Sequence, residues 1–141
     1  MSIELKPFIM LDGHAREAIA FYQASLGAQL MFIQTAGEAP QQPDTSKSAA
    51  EQALIAHSVL RIGESTLFVS DSEPGQRLHQ GNAVNICISV DNTGSAEQLF
   101  HALKEGGEVA MDLAPTYFSP AYGMLTDKYG VTFQIFTKRP G

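Results

Sequence analysis

The stretch Asp127-Lys-Tyr-Gly-Val-Thr-Phe-Gln-Ile-Phe136 decides the fold. Asp127 to Gly130 reads as a tight turn, and Val131 to Thr137 as a strand. Strand side chains alternate between two faces. Val131, Phe133 and Ile135 therefore oppose Thr132, Gln134 and Phe136. Working back along the chain, Pro120 to Thr126 and Glu108 to Leu113 are strands. Gly94 to Glu105 has helical spacing, with Ser95 and Gln98 placed as a capping box and Gly106-Gly107 at its end. Asn82 to Val90 opens this half as a strand. Val84, Ile86, Ile88 and Val90 face one way, and Asn85, Cys87 and Ser89 the other.

The first half runs in the same order. Ile3 to Leu11 reads as a buried strand, broken by Asp12-Gly13. His14 to Leu26 is a helix whose apolar stripe is Ala15, Ala18, Ile19, Tyr22 and Leu26, with Gly27 at its C-terminal cap. Ala28 to Thr35 is a strand. Ala53 to Ile62 and Ser65 to Ser70 form a hairpin around Gly63-Glu64. Ser70-Asp71 reads as turn chemistry, and Asp71 to Gly81 as a linker. Gly37 to Gln52 lacks periodicity and reads as a long loop, either a mobile surface excursion or a lid. Phe21 with Phe100 and Gly27 with Gly106 share an offset of 79. Each half alone would expose an apolar sheet face. The expected architecture is α+β: two βαβββ modules, about 1–72 and 82–138, in a single domain 1–141. They pair into a curved, barrel-like mixed sheet around a cleft, with helices on the outside.

Composition narrows the partners. The 141 residues are 44% hydrophobic and 17% charged, which is globular. The net charge is -6, and the basic residues are scattered apart from Lys138-Arg139. Nucleic-acid binding needs clustered cations, so no nucleic-acid partner is expected. No apolar run approaches the roughly 20 residues of a membrane span, so no membrane partner is expected either. Cys87 is the only cysteine, which with the absence of a signal peptide points to a cytoplasmic protein.

Asn85 and Gln134 both lie on the faces opposite the aliphatic residues of their strands. Carboxamides offer donors and acceptors without charge. They orient a polar ligand or bond to each other, and they make poor acids, bases or transition-metal ligands.

The element order, Asp127-Lys-Tyr-Gly-Val-Thr-Phe-Gln-Ile-Phe136, Glu17-Ala-Ile-Ala-Phe-Tyr22 and Ile55-Ala-His-Ser-Val-Leu-Arg-Ile-Gly63 resemble the vicinal oxygen chelate superfamily. That group includes glyoxalases, bleomycin-resistance proteins and extradiol dioxygenases. The match is nearest its PhnB-like branch and spans nearly the whole chain. The resemblance implies a divalent-metal site with ligands from the first and fourth strands of each module. Those slots fall on Gln134, Leu67, Asn85 and Lys6 or Pro7, so no metal is expected. Branch tryptophans correspond to Phe118 and Phe133.

The candidate ligand-binding residues are His57, Asn85, Gln134, Phe118 and Tyr122; no catalytic residue is named. His57 is either an imidazole that orients a ligand or shuttles a proton, or a satisfied core histidine. Cys87 reads as a small core residue. Tyr117, Phe118 and Tyr122 form an aromatic pocket wall or a dimer surface. His14, His79 and His101 read as surface residues.

The expected function is metal-independent binding of a small polar or aromatic molecule in the inter-module cleft, with no cofactor. The alternative is a metal-dependent lyase, isomerase or dioxygenase of the glyoxalase type, which would need a divalent metal. A methyltransferase is disfavoured, because no glycine-rich strand-to-helix loop suits S-adenosylmethionine. A phosphonate site would want converging cations, and the strands offer mainly Lys6 and Arg61. A homodimer is expected.

Overall fold

The computed structural model describes residues 1–38 and 48–140. The chain divides into two compact units, Met1–His79 and Gln80–Gly141. Each is a mixed four-stranded sheet with a long helix on one face, and the two are built alike.

In the first unit β1 (Phe8–Leu11) leads to α1 (Ala15–Leu26) and β2 (Gln29–Thr35). A single 3-10 turn, Ala36–Glu38, and the short helix α2 (Ala49–Ala53) precede the hairpin of β3 (Ile55–Ile62) and β4 (Ser65–Asp71). The strand order is β1-β4-β3-β2. β1 runs parallel to β4, and the other pairs are antiparallel. One face buries Ile9, Leu11, Leu60, Leu67 and Val69, and α1 packs on it through Ala15, Ala18, Ile19 and Tyr22. Gly27 closes α1 at φ 67°, a left-handed conformation that costs glycine little, and its N–H bonds to the Tyr22 carbonyl.

The second unit repeats the plan with β5 (Ile86–Val90), α3 (Thr93–Leu103), β6 (Glu108–Ala114), β7 (Tyr122–Thr126) and β8 (Thr132–Thr137). The order is β5-β8-β7-β6, again with one parallel pair, β5 with β8. Leu125, Phe133 and Ile135 are buried on the face where α3 packs through Ala96, Phe100 and Leu103. The β7–β8 turn is built on Asp127. Its Oδ1 accepts the N–H of Tyr129 at 2.9 Å and of Val131 at 3.0 Å, and Gly130 sits at φ 86°.

The offset of 79 carries through β2 and β6, since Thr35 and Ala114 end them. It lapses afterwards because residues 36–54 join β2 to β3, whereas the shorter 115–121 joins β6 to β7.

Several sequence expectations are corrected. The first strand begins at Phe8, not Ile3; Ile3 is 74% and Leu5 94% exposed, so only the end of the predicted run, Ile9 and Leu11, is buried. β5 begins at Ile86, not Asn82, and Val84 is 90% exposed instead of facing a helix. The cap of α3 is Asn92, whose Oδ1 accepts the Ser95 N–H at 2.8 Å; Ser95 is inside the helix. The predicted loop 37–52 ends in α2, which also takes Ala53 from the predicted strand and carries its own capping box of Ser48 and Glu51. Its centre, 39–47, lies outside the described residues, and the lid reading falls there. Among the described residues no helix is long and apolar enough to cross a membrane.

Gly107, just before β6, is fixed by space. A Cβ there would overlap the Thr126 carbonyl oxygen and come within 2.9 Å of the Asp127 backbone. Backbone cannot rotate aside as a flexible side chain does. Gly107→Ala is expected to cost about 2 kcal/mol in urea denaturation. An unchanged midpoint would refute this steric account.

Candidate functional site

On the open face of the second sheet, away from α3, strand register sets the side chains in rows. Cys87, Gln134, Met124 and Met111 form the central row, and Ser89, Phe136, Tyr122 and Ala114 the next. The central row carries no charged side chain. A hydrogen-bonded chain crosses the face. The Tyr122 hydroxyl donates to Gln134 Oε1 at 2.6 Å. Gln134 Nε2 donates to Asn85 Oδ1 at 2.9 Å, and Asn85 Nδ2 to the Asn82 carbonyl at 3.2 Å.

Aromatic rings border this chain. Phe118 meets Tyr122 edge-on, 4.9 Å between centroids, and lies parallel to Phe136 at 6.2 Å. Tyr117 stands edge-on to Phe118 at 5.1 Å. Phe118 belongs to the 115–121 connection, which Ser119 ties down. The buried Ser119 hydroxyl lies 2.8 Å from the Thr137 carbonyl and 3.0 Å from that of Ala121. It also accepts the N–H groups of both residues. Cys87 is exposed on this face and not the small core residue expected; partial desolvation still raises its thiol above its ordinary pKa and makes it a poor nucleophile.

The structure thus brings Asn85, Gln134, Phe118 and Tyr122 together in one unit. His57 stands apart on the open face of the first sheet. Its ring is 5.0 Å from that of Phe68, 6.1 Å from Phe8 and 6.2 Å from Phe32. Among the described residues its nitrogens make no hydrogen bond. Phe133 is not a pocket aromatic. It is buried on the α3 side, and Phe136 takes the open face instead. Ser119 and the Asn82 carbonyl carried no sequence signal, because both act through contacts distant in sequence or through backbone.

The metal slots can be placed by register. Counting from the turn glycines equates Leu67 with Gln134. In the sheets, however, Leu67 pairs with buried Leu60, as Phe133 pairs with buried Leu125. Phe68 is the counterpart of Gln134, since it pairs with Phe8 as Gln134 pairs with Cys87. The count fails because the two hairpin turns differ in length, and one residue of slip reverses the face. Lys6 then stands where Asn85 stands, and its ammonium pairs with Glu4. A lysine, a phenylalanine and two carboxamides do not fit a divalent metal. The amide oxygens of Asn85 and Gln134 already accept hydrogen bonds. Among the described residues no group of three or more His, Cys, Asp or Glu could hold a metal ion.

The family described as 3-demethylubiquinone-9 3-methyltransferase matches residues 3–136. The chain belongs to this PhnB-like family of the vicinal oxygen chelate superfamily. It is 28% identical over 138 residues to protein YjdN of Escherichia coli (strain K12), covering 93% of this chain and 92% of that one. The crystal structure of protein PA1353 from Pseudomonas aeruginosa is 32% identical, with TM-score 0.86 and coverage of 99% and 100%. The putative 3-demethylubiquinone-9 3-methyltransferase, PhnB protein, of Bacillus cereus shares the fold at 22% identity and TM-score 0.77, covering 96% and 99%. A more distant neighbour in fold is the fosfomycin resistance protein FosX of Listeria monocytogenes. A mutant of it, complexed with Mn(II) and a dihydroxypropylphosphonic acid, is 12% identical with TM-score 0.66, covering 96% and 93%.

Proposed function

We propose that this PhnB-like protein binds a small, uncharged polar or aromatic molecule on the open face of its second unit, without a metal ion. The observation that carries the reading is the Tyr122–Gln134–Asn85 hydrogen-bonded chain bordered by Phe118 and Phe136. Neutral donors and acceptors beside ring faces orient a flat polar molecule and leave no strong acid or base to act on it. His57, among the rings of Phe8, Phe32 and Phe68, is assigned a ligand-orienting role on the first unit. The reading includes a cytoplasmic homodimer, for which Leu30, Met31 and Phe32 on edge strand β2 offer exposed apolar surface.

The test is a screen of neutral aromatic amides, lactams and phenols in the presence of a chelator. Binders are expected to raise the melting temperature. They should shift the backbone resonances of Tyr122, Gln134 and Asn85. No binder at that face would end the proposal.

A second reading, a metal-dependent lyase, isomerase or dioxygenase, draws on the Mn(II) complex of FosX, which shares the fold. Stoichiometric metal in protein purified without added metal, or ligand binding lost to the chelator, would decide for it. A methyltransferase, as the family name has it, finds less support. Each sheet is mixed and four-stranded rather than doubly wound and parallel.

A further inference from the structure

The polarity of the amide chain is fixed from one end. The Asn82 carbonyl is only an acceptor, so the Asn85 atom facing it is the donor Nδ2. Asn85 Oδ1 must then face Gln134, which answers with Nε2. Gln134 Oε1 is left facing Tyr122, whose hydroxyl has to donate. Each amide orientation follows from the one before it, and the whole order follows from a backbone carbonyl that cannot turn over.

Tyr122 is therefore not ambivalent. Its one proton is spent on Gln134, and Oη offers lone pairs alone. Among the described residues Gln134 Nε2 uses only one N–H, toward Asn85, and keeps the second. Tyr122 Oη is bonded to Gln134 Oε1, and Nε2 belongs to that same planar amide, so the ligand atoms that meet Oη and the Nε2 N–H must be neighbours too. From this we infer that the site selects a flat ring bearing an N–H or O–H donor directly beside a carbonyl, as in an aromatic lactam. The donor goes to Tyr122 Oη and the carbonyl accepts from Gln134. The ring finds its apolar surroundings in Phe118 and Phe136. A ring carrying carbonyls alone would meet Tyr122 lone pair against lone pair. This inference rests on the proposed binding role of the second unit and adds the ligand's chemical class.

The test titrates the full chain, with chelator, against 2-quinolone and N-methyl-2-quinolone. They differ by the donor and keep the ring and carbonyl. The N-methyl compound is expected to bind about tenfold more weakly, the worth of one lost hydrogen bond. Tyr122→Phe should erase that difference. Asn85→Ala should narrow it as well, because Gln134 is then free to turn over and Tyr122 to donate; the half-buried Asn85 precedes β5, so the fold is kept. Equal or tighter binding of the N-methyl compound to the wild type overturns the inference and leaves the binding role standing. If neither quinolone binds while another neutral aromatic does, the inference again falls alone. If the fragment screen finds nothing at this face, both fall.

Discussion

Asp71→Ala is expected to lower the stability of the first unit by about 3 kcal/mol. Asp71 ends β4, and its two carboxylate oxygens reach different elements. Oδ1 accepts the N–H of Ala15, the first residue of α1, at 2.9 Å. Oδ2 accepts the N–H of Ile55, the first residue of β3, also at 2.9 Å. The residue preceding α1, His14, makes no side-chain cap bond, so the carboxylate from β4 serves instead. It also places negative charge at the positive end of the helix dipole. Alanine removes two charge-assisted bonds, each worth roughly 1.5 kcal/mol or more. For a chain of this length the melting temperature should fall by about 10 °C. Asp71→Asn should recover less than half of the loss, because its NH2 would face one of the two N–H donors. Amide exchange at Ala15 and Ile55 should accelerate beyond the global change. A loss under about 1 kcal/mol would show that the bridge contributes only what a surface ion pair does.

Asp71 also shows where reading the sequence stops. Next to Ser70 at a strand end it looks like a turn residue, and no local pattern says that its partners are Ala15 and Ile55. What was legible is periodic or conformational. Alternation placed Gln134 on the open face and Phe133 and Ile135 on the buried one. The glycines at 27, 63 and 130 all adopt positive φ at the ends of elements, where the sequence put them. Alternation failed where its premise failed. Asn85 lies outside β5, yet its amide still reaches Gln134, because a short irregular lead-in carries it there. The count from Gly63 to Leu67 missed Phe68 because turn length, which sets register, is not written in any one residue. His57 was grouped with the other four candidates on sequence grounds. Register pairs it with Gln34, its ring reaches phenylalanines in the next row of the first sheet, and it takes no part in the amide chain.

Ser119→Ala should be as costly, about 3 kcal/mol, and should also weaken binding on the second unit. The Ser119 hydroxyl is buried and bonded to the backbone of Ala121 and Thr137, so alanine strands polar groups where water does not reach. Thr116 holds the same turn from the other side. Its Oγ1 accepts the Ser119 N–H at 3.1 Å, and its own N–H bonds to the Ser119 carbonyl at 2.8 Å. With Ser119 gone, this turn loses its anchor to the end of β8, and Phe118 loses its fixed place beside Tyr122. Phe118→Ala separates the two effects. Phe118 is 39% exposed, so its removal opens little cavity and should barely move the melting temperature. It should still cost the proposed site several-fold in affinity for a ring-bearing ligand, through the loss of an aromatic contact. The expected pattern is a lower melting temperature and weaker binding in Ser119→Ala, and weaker binding alone in Phe118→Ala. If Phe118→Ala melts as early as Ser119→Ala, the ring is core and not part of a binding face. If Ser119→Ala keeps full affinity below its melting transition, Phe118 is held by its ring neighbours and the anchor serves stability only.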